Sequence, residues 1–238
     1  MPTPTLLTSG SDTTAASNYQ TAIISPTAGN LILVFVYNSK ASPAIAPTSV
    51  KSYNTLDVLL DTWTQETSRD FDTDVNPAKI LSVWRHSTTT GSGYILIDFN
   101  VVNQSGCMWF VVEVSGVDTT VNNGVGASAT GFNDTAGTSA LVPSVGSGSA
   151  FRIGMAATNS NPAGTGHHSW AEAGWTEITG ASPGEQEIST PDAVASIGYN
   201  SSDTDLGTTV TTPNDRYGSI NLQITAAAAD TLFAQSVM

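Results

Sequence analysis

Hydrophobic residues in this chain come in short alternating runs broken by Gly, Pro, Asn and Ser, the pattern of β-strands joined by tight turns. The runs predict strands near Thr5–Thr8, Tyr19–Ile24, Leu31–Tyr37, Thr55–Thr67, Lys79–Arg85, Tyr94–Phe99 and Met108–Val114. They continue near Ser139–Pro143, Ala150–Thr158, Ser169–Ile178, Ala193–Tyr199, Thr208–Thr212 and Tyr217–Thr225. Helical signals are nearly absent, so the expected class is all-β, a jelly-roll-like β-sandwich. Alternation also orients strands. Ile95, Ile97 and Phe99 oppose Tyr94, Leu96 and Asp98, while Met108, Phe110, Val112 and Val114 oppose Trp109, Val111 and Glu113. Each of these strands is expected to lay one clean apolar face on a core. Leu31–Tyr37 is apolar on both faces, which predicts a central strand covered on both sides.

Several short motifs recur about 110 residues apart, in the same order. Ser9-Gly-Ser-Asp-Thr-Thr14 returns as Ser115-Gly-Val-Asp-Thr-Thr120, Asn38-Ser39 as Asn159-Ser160, and Trp63-Thr64 as Trp175-Thr176. Glu113 has a counterpart in Gln223. These matches point to a duplicated chain with related halves at 9–114 and 115–225, followed at 226–238 by either a frayed tail or an arm that packs on a neighbouring subunit. Two architectures are open: one sandwich whose halves each supply part of both sheets, or two tandem domains of immunoglobulin size. The absence of a Pro- or charge-rich linker favours the single sandwich.

Composition narrows the function. Charged residues make up 11% of the chain, well under the roughly 25% of an average soluble protein, so Ser, Thr, Asn and Gly must carry much of the surface. Seven Lys and Arg stand against 20 Asp and Glu, a net charge of −13. Such a surface repels phosphate backbones and anionic bilayers, so neither nucleic acid nor membrane is an expected partner. The Met-Pro-Thr-Pro-Thr start shows no basic or apolar leader region, which predicts synthesis in a cytoplasm without a signal peptide. The single Cys107 sits in an apolar run, as a buried, inert thiol does.

Candidate chemistry is sparse. Asp70, Asp72 and Asp74 are spaced like the opening of a calcium loop, but Val75 and Leu81 stand where an EF-hand needs Gly and Glu. A solvated acidic loop is the expectation, with a looser cation site as the alternative. His167 and His168 are adjacent and would point to opposite faces of a strand, so no metal site and no cofactor is expected. Glu113 and Asp98 both lie on the less apolar faces of their strands and are the one carboxylate pair suited to glycoside hydrolysis if they are neighbours. Simple pairing, with Arg85 or with a turn, is the expected role of Glu113. No nucleophile elbow, phosphate loop or Cys/His pair occurs, so the chain is not expected to be an enzyme. Of the five tryptophans, four are expected in the core. Trp170, beside His167 and His168, is the one free to be a surface aromatic that stacks on a sugar ring.

Ser9-Gly-Ser-Asp-Thr-Thr, Ile24-Ser-Pro-Thr-Ala-Gly-Asn-Leu-Ile-Leu-Val-Phe-Val, Val111-Val-Glu-Val-Ser-Gly-Val-Asp-Thr and Gly174-Trp-Thr-Glu-Ile together resemble a family of β-sandwich proteins of tailed phages and prophages. The resemblance spans roughly residues 5–225 and carries over no catalytic residue; Gln223 stands where the family pattern has Glu. It implies a virion component: a capsid decoration, head-fibre or tail-associated protein. The expected partners are then the major capsid protein and further copies of the chain, with Leu232, Phe233 and Val237 of the arm as subunit contacts. The alternative is a lectin-like module holding glycans through Trp170, His167 and His168. A glycan-cleaving tail enzyme ranks third.

Overall fold

The computed structural model describes residues 1–40, 43–73, 78–87, 91–146, 150–159, 168–170, 174–180, 184–189, 192–201 and 207–228. Its regular structure is antiparallel β-sheet, apart from one short 3-10 turn at Asn122–Gly124. Strands β1 (Thr3–Asp12), β2 (Asn18–Gln20), β3 (Leu31–Lys40), β4 (Ser49–Asn54), β5 (Leu59–Thr62), β6 (Thr64–Phe71), β7 (Ala78–His86), β8 (Gly93–Asp98) and β9 (Gly106–Ser115) form the first half. They make two sheets, β1-β9-β3-β7-β6 and β2-β8-β4-β5. First strand pairs with last and second with next to last, which is the wrap of a jelly roll.

The second half has β10 (Val125–Val142), β11 (Phe151–Thr158), β12 (Trp175–Glu177), β13 (Glu185–Ser189), β14 (Asp192–Asn200) and β15 (Thr208–Ile224). Its sheet runs β10-β15-β11-β14-β12, with β13 also on β14. This is the order of the first large sheet, built from fewer and longer strands. Register shifts between Asn133 and Ser139 break the β10–β15 ladder, and such shifts bend strands. Beyond them Ser139–Val142 pairs with Thr208–Thr211, and Ser169 bridges Thr211. The sequence β2-β8-β4 is thus repeated on a smaller scale.

Three cores hold these layers. The two large sheets face each other across the main one: Leu33, Phe35, Tyr37, Phe110 and Val112 meet Ile153, Met155, Ile197, Ile220 and Leu222. Behind the first large sheet, Ile32, Val34, Val36, Trp109 and Val111 meet Val50, Ile95 and Ile97 of the small sheet and Phe99 just after it. Behind the second, Ala156 and Trp175 meet Val142, Trp170, Val210 and Tyr217. Strand β3 is apolar on both faces because it lies between two of these cores. Strand β9 is covered on both faces too, a correction to the single core face read from its alternation. Glu113 interrupted that reading only because it sits at the strand end.

The halves do not each contribute to a common pair of sheets. β1–β9 close among themselves before β10 begins, and the shared core forms by packing one finished large sheet on the other. The first half starts at Thr3, not residue 9. Register fixes which positions match. Ile32 lies between Glu113 and His86 as Arg152 lies between Gln223 and Asn200. Thr64 faces Arg85 as Thr176 faces Tyr199, which puts Trp63 and Trp175 at corresponding places. Two of the sequence matches do not survive this alignment. Ser9–Asp12 ends β1, whereas Ser115–Thr120 ends β9 and turns with Gly116 at φ 68°. Asn38 corresponds to Thr158, one residue before Asn159.

The strand expected at Thr55–Thr67 is a turn followed by two strands, β5 and the start of β6, and Asn54 folds the chain back at that turn. Its side-chain oxygen accepts the N–H groups of Leu56 and Val58 at 2.9 and 3.0 Å. Ala226 bridges Val117 and the Ala227 N–H donates to Gly116 O, so the first residues of the expected arm belong to the sandwich. Leu232, Phe233 and Val237 lie outside the described residues.

Candidate functional site

Two of the three residues singled out for ligand binding, His168 and Trp170, meet in a buried polar network behind the second large sheet. His168 is 4% exposed and Trp170 3%. Ser196 on β14 sits at their centre. Its Oγ accepts the Trp170 indole N–H at 2.9 Å and lies 2.7 Å from His168 Nδ1. His168 Nε2 lies 3.2 Å from Thr158 Oγ1, and the His168 backbone N–H donates to Glu185 Oε2 at 2.7 Å. The Trp170 ring stacks on Trp175 with centroids 5.5 Å apart, and Gly198 makes room beneath it: a Cβ there would lie 2.4 Å from the indole. Trp170 is therefore a core residue. The surface reading is corrected: Ser169 bridges Thr211, and the neighbouring Trp170 ring closes the core behind β11 and β14. Trp63, Trp84 and Trp109 are buried as well, so each of the five tryptophans is a packing residue. His167 lies outside the described residues.

The serine, imidazole and carboxylate here superficially resemble a hydrolytic triad, but the roles do not fit. Ser196 is fully buried and already accepts from Trp170, and Glu185 binds the backbone of His168 rather than its ring. A nucleophile needs a reachable oxygen with a base held by a third group.

Glu177 stands near Glu185, and burial first, then that neighbouring charge, raises its carboxyl above the ordinary glutamate range. A raised folded-state pKa means the folded chain holds the proton longer, so this group's contribution to stability is lost as pH rises through that pKa. Glu177→Gln is expected to be more stable than the parent chain at neutral pH and to match it at acid pH below the carboxylate range. Urea unfolding at both pH values checks this; equal stabilisation at both would remove the titration as its cause.

Asp72 is the second polar centre. It is fully buried, in the left-handed region at φ 52°, and pairs with Lys79 Nζ at 2.7 Å and with Arg216. Its own N–H donates to Asp134 Oδ1 at 2.8 Å. Arg216 and Asp134 belong to the second half, so the cluster pins β6 and β7 to β10 and β15. The expected solvated acidic loop is corrected at this position: both carboxylate oxygens are taken by cations of the chain. Asp74 lies outside the described residues, and among the described residues no group of three or more His, Cys, Asp or Glu is arranged to hold a metal ion.

Glu113 and Asp98 lie at opposite ends of the outer sandwich. Glu113 Oε1 accepts the Thr27 N–H at 2.6 Å and Asn30 Nδ2 at 2.9 Å, near Ile24, which bridges Gly93 at the start of β8. Asp98 ends that strand and accepts the Asn100 N–H at 2.8 Å. They are not a catalytic pair. Cys107 is fully buried, and burial pushes its thiol well above the usual range.

What sequence reasoning missed lies on the outside. On the solvent face of β2-β8-β4-β5, Tyr94 and Tyr53 stack with centroids 5.5 Å apart, and Tyr53 pairs with Leu59 on the next strand. Ile23, Leu56, Val58 and Leu59 beside them are 62%, 80%, 56% and 50% exposed. Reading Thr55–Thr67 as one strand hid the apolar turn that carries them. Among the described residues no helix is long and apolar enough to cross a membrane. No protein-family model and no curated protein matches the chain.

Proposed function

We propose that this protein is a non-catalytic structural component of a tailed-phage particle, carried on its exterior as a capsid decoration or head-fibre protein. The observation that carries the reading is the strand order, β1-β9-β3-β7 against β2-β8-β4-β5. That jelly-roll wrap recurs in capsid proteins and in lectins, and fold by itself assigns neither role. Two features favour the structural one. The polar clusters among the described residues are used up inside the fold, by Ser196 and by Asp72. Five of the seven cations are spent there as well: Lys79, Arg85 and Arg216 in ion pairs, Arg152 on the carbonyls of Val145 and Ala150, and Arg69 over the Phe132 ring. The surface left is more acidic than the net charge of −13 alone conveys, which suits an outward position away from packaged nucleic acid.

The test is quantitative mass spectrometry of gradient-purified particles. The reading expects this protein in fixed proportion to the major capsid protein, and particles without it would sink the proposal. A glycan array run in parallel addresses the lectin alternative, which the burial of Trp170 and His168 disfavours.

A further inference from the structure

Exposed large hydrophobics are scattered on most of this surface but collect at one place, the β4–β5 turn and the strands beside it. Isolated exposed apolar residues are ordinary, whereas a contiguous patch marks an interaction site. Here Ile23, Tyr94, Tyr53 and Leu59 cross the outer face in a row, and Leu56 and Val58 extend it at the turn. Burial of the alternate residues Val50, Ser52, Ile95 and Ile97 puts Lys51, Tyr53, Tyr94 and Leu96 on this outer face. β5 is the edge strand of its sheet. The turn is built rather than loose: Asn54 holds Leu56 and Val58, and the Tyr94 hydroxyl donates to Asp57 Oδ1 at 2.8 Å.

We infer that this patch, formed by Ile23, Tyr53, Leu56, Val58, Leu59 and Tyr94, is a two-fold interface that binds a second copy of the same chain. Two observations select that occupant. A two-fold contact buries the same patch twice and must be complementary to itself. The patch carries Lys51 at one end and Asp57 at the other, so antiparallel apposition brings each lysine to the partner's aspartate. Among the described residues, Lys51 and Lys40 are the two Lys or Arg side chains with no internal contact. Elsewhere an acidic chain repels its own kind.

Charge reversal tests the geometry as well as the affinity. Sedimentation velocity at 0.15 M salt is expected to show a concentration-dependent dimer of the full chain. Leu56→Asp should weaken it at least tenfold. Lys51→Glu and Asp57→Lys should each weaken it by a similar factor, because each places like charges opposite one another at both ends. An equimolar mixture of those two variants should recover the dimer, since in the mixed pair every contact is again between opposite charges. Unchanged thermal unfolding of each variant at low concentration confirms that the fold is intact. A monomer at all concentrations overturns the inference, and so does a dimer indifferent to Leu56→Asp or a mixture that fails to recover. None of these results depends on whether the chain belongs to a particle.

Discussion

Asp72→Asn is expected to cost about 3–5 kcal/mol of folding stability, the usual penalty for removing one partner of a buried ion pair. Asparagine keeps the shape and tolerates the left-handed backbone at this position, so the change isolates the charge. Lys79 is 2% exposed and would keep its ammonium in the interior without a counter-ion, whereas Arg216, at 26%, can turn toward water. Adding Lys79→Met to Asp72→Asn should therefore recover much of the loss, because the stranded charge is then gone as well. Urea denaturation of the parent, both single variants and the double variant supplies the cycle. A loss below about 1 kcal/mol, the range of an exposed pair, would show that the cluster is solvated in solution.

Ser196→Ala is expected to lower stability by about 2–4 kcal/mol, since one hydroxyl serves two buried groups and each orphaned group costs about 1–3 kcal/mol. The Trp170 indole N–H loses its acceptor, and His168 Nδ1 loses its contact at 2.7 Å. Thr158→Val removes the 3.2 Å contact to His168 Nε2 but leaves the Trp170 indole N–H its acceptor, and should cost less. The Trp170–Trp175 stack gives a direct readout, because near-UV circular dichroism should change with Ser196→Ala well below its melting temperature. Equal effects from the two substitutions would place the weight of the network elsewhere.

The two predicted effects fall on residues of very different visibility in the sequence. The all-β class and the central place of β3 were legible because period-two alternation and doubly apolar runs are local signals. Correspondence between the halves was legible at Trp63 and Trp175, where the same residues occupy the same register. At Ser9 and Ser115 the same reasoning failed: Ser-Gly-x-Asp-Thr-Thr suits both a strand end and a turn, so identical letters landed in different structures. Trp170 looked free because it stands beside the polar pair His167-His168, yet the indole N–H finds an acceptor in Ser196 and the ring packs on Trp175 behind the second large sheet. Asp72 was taken for solvent because its partners Lys79 and Arg216 declare themselves only once β7 and β15 are folded against it. The outer patch was hidden by its turn: Asn54 reverses the chain within a run whose composition reads as continuous strand.

The proposed position on the outside of a particle can be tested by imaging. Averaged electron cryo-microscopy maps of particles with and without the gene should differ by density of stacked β-sheets at symmetric positions on the outer surface. Identical outer surfaces, or difference density confined to the interior beside the nucleic acid, would contradict that placement.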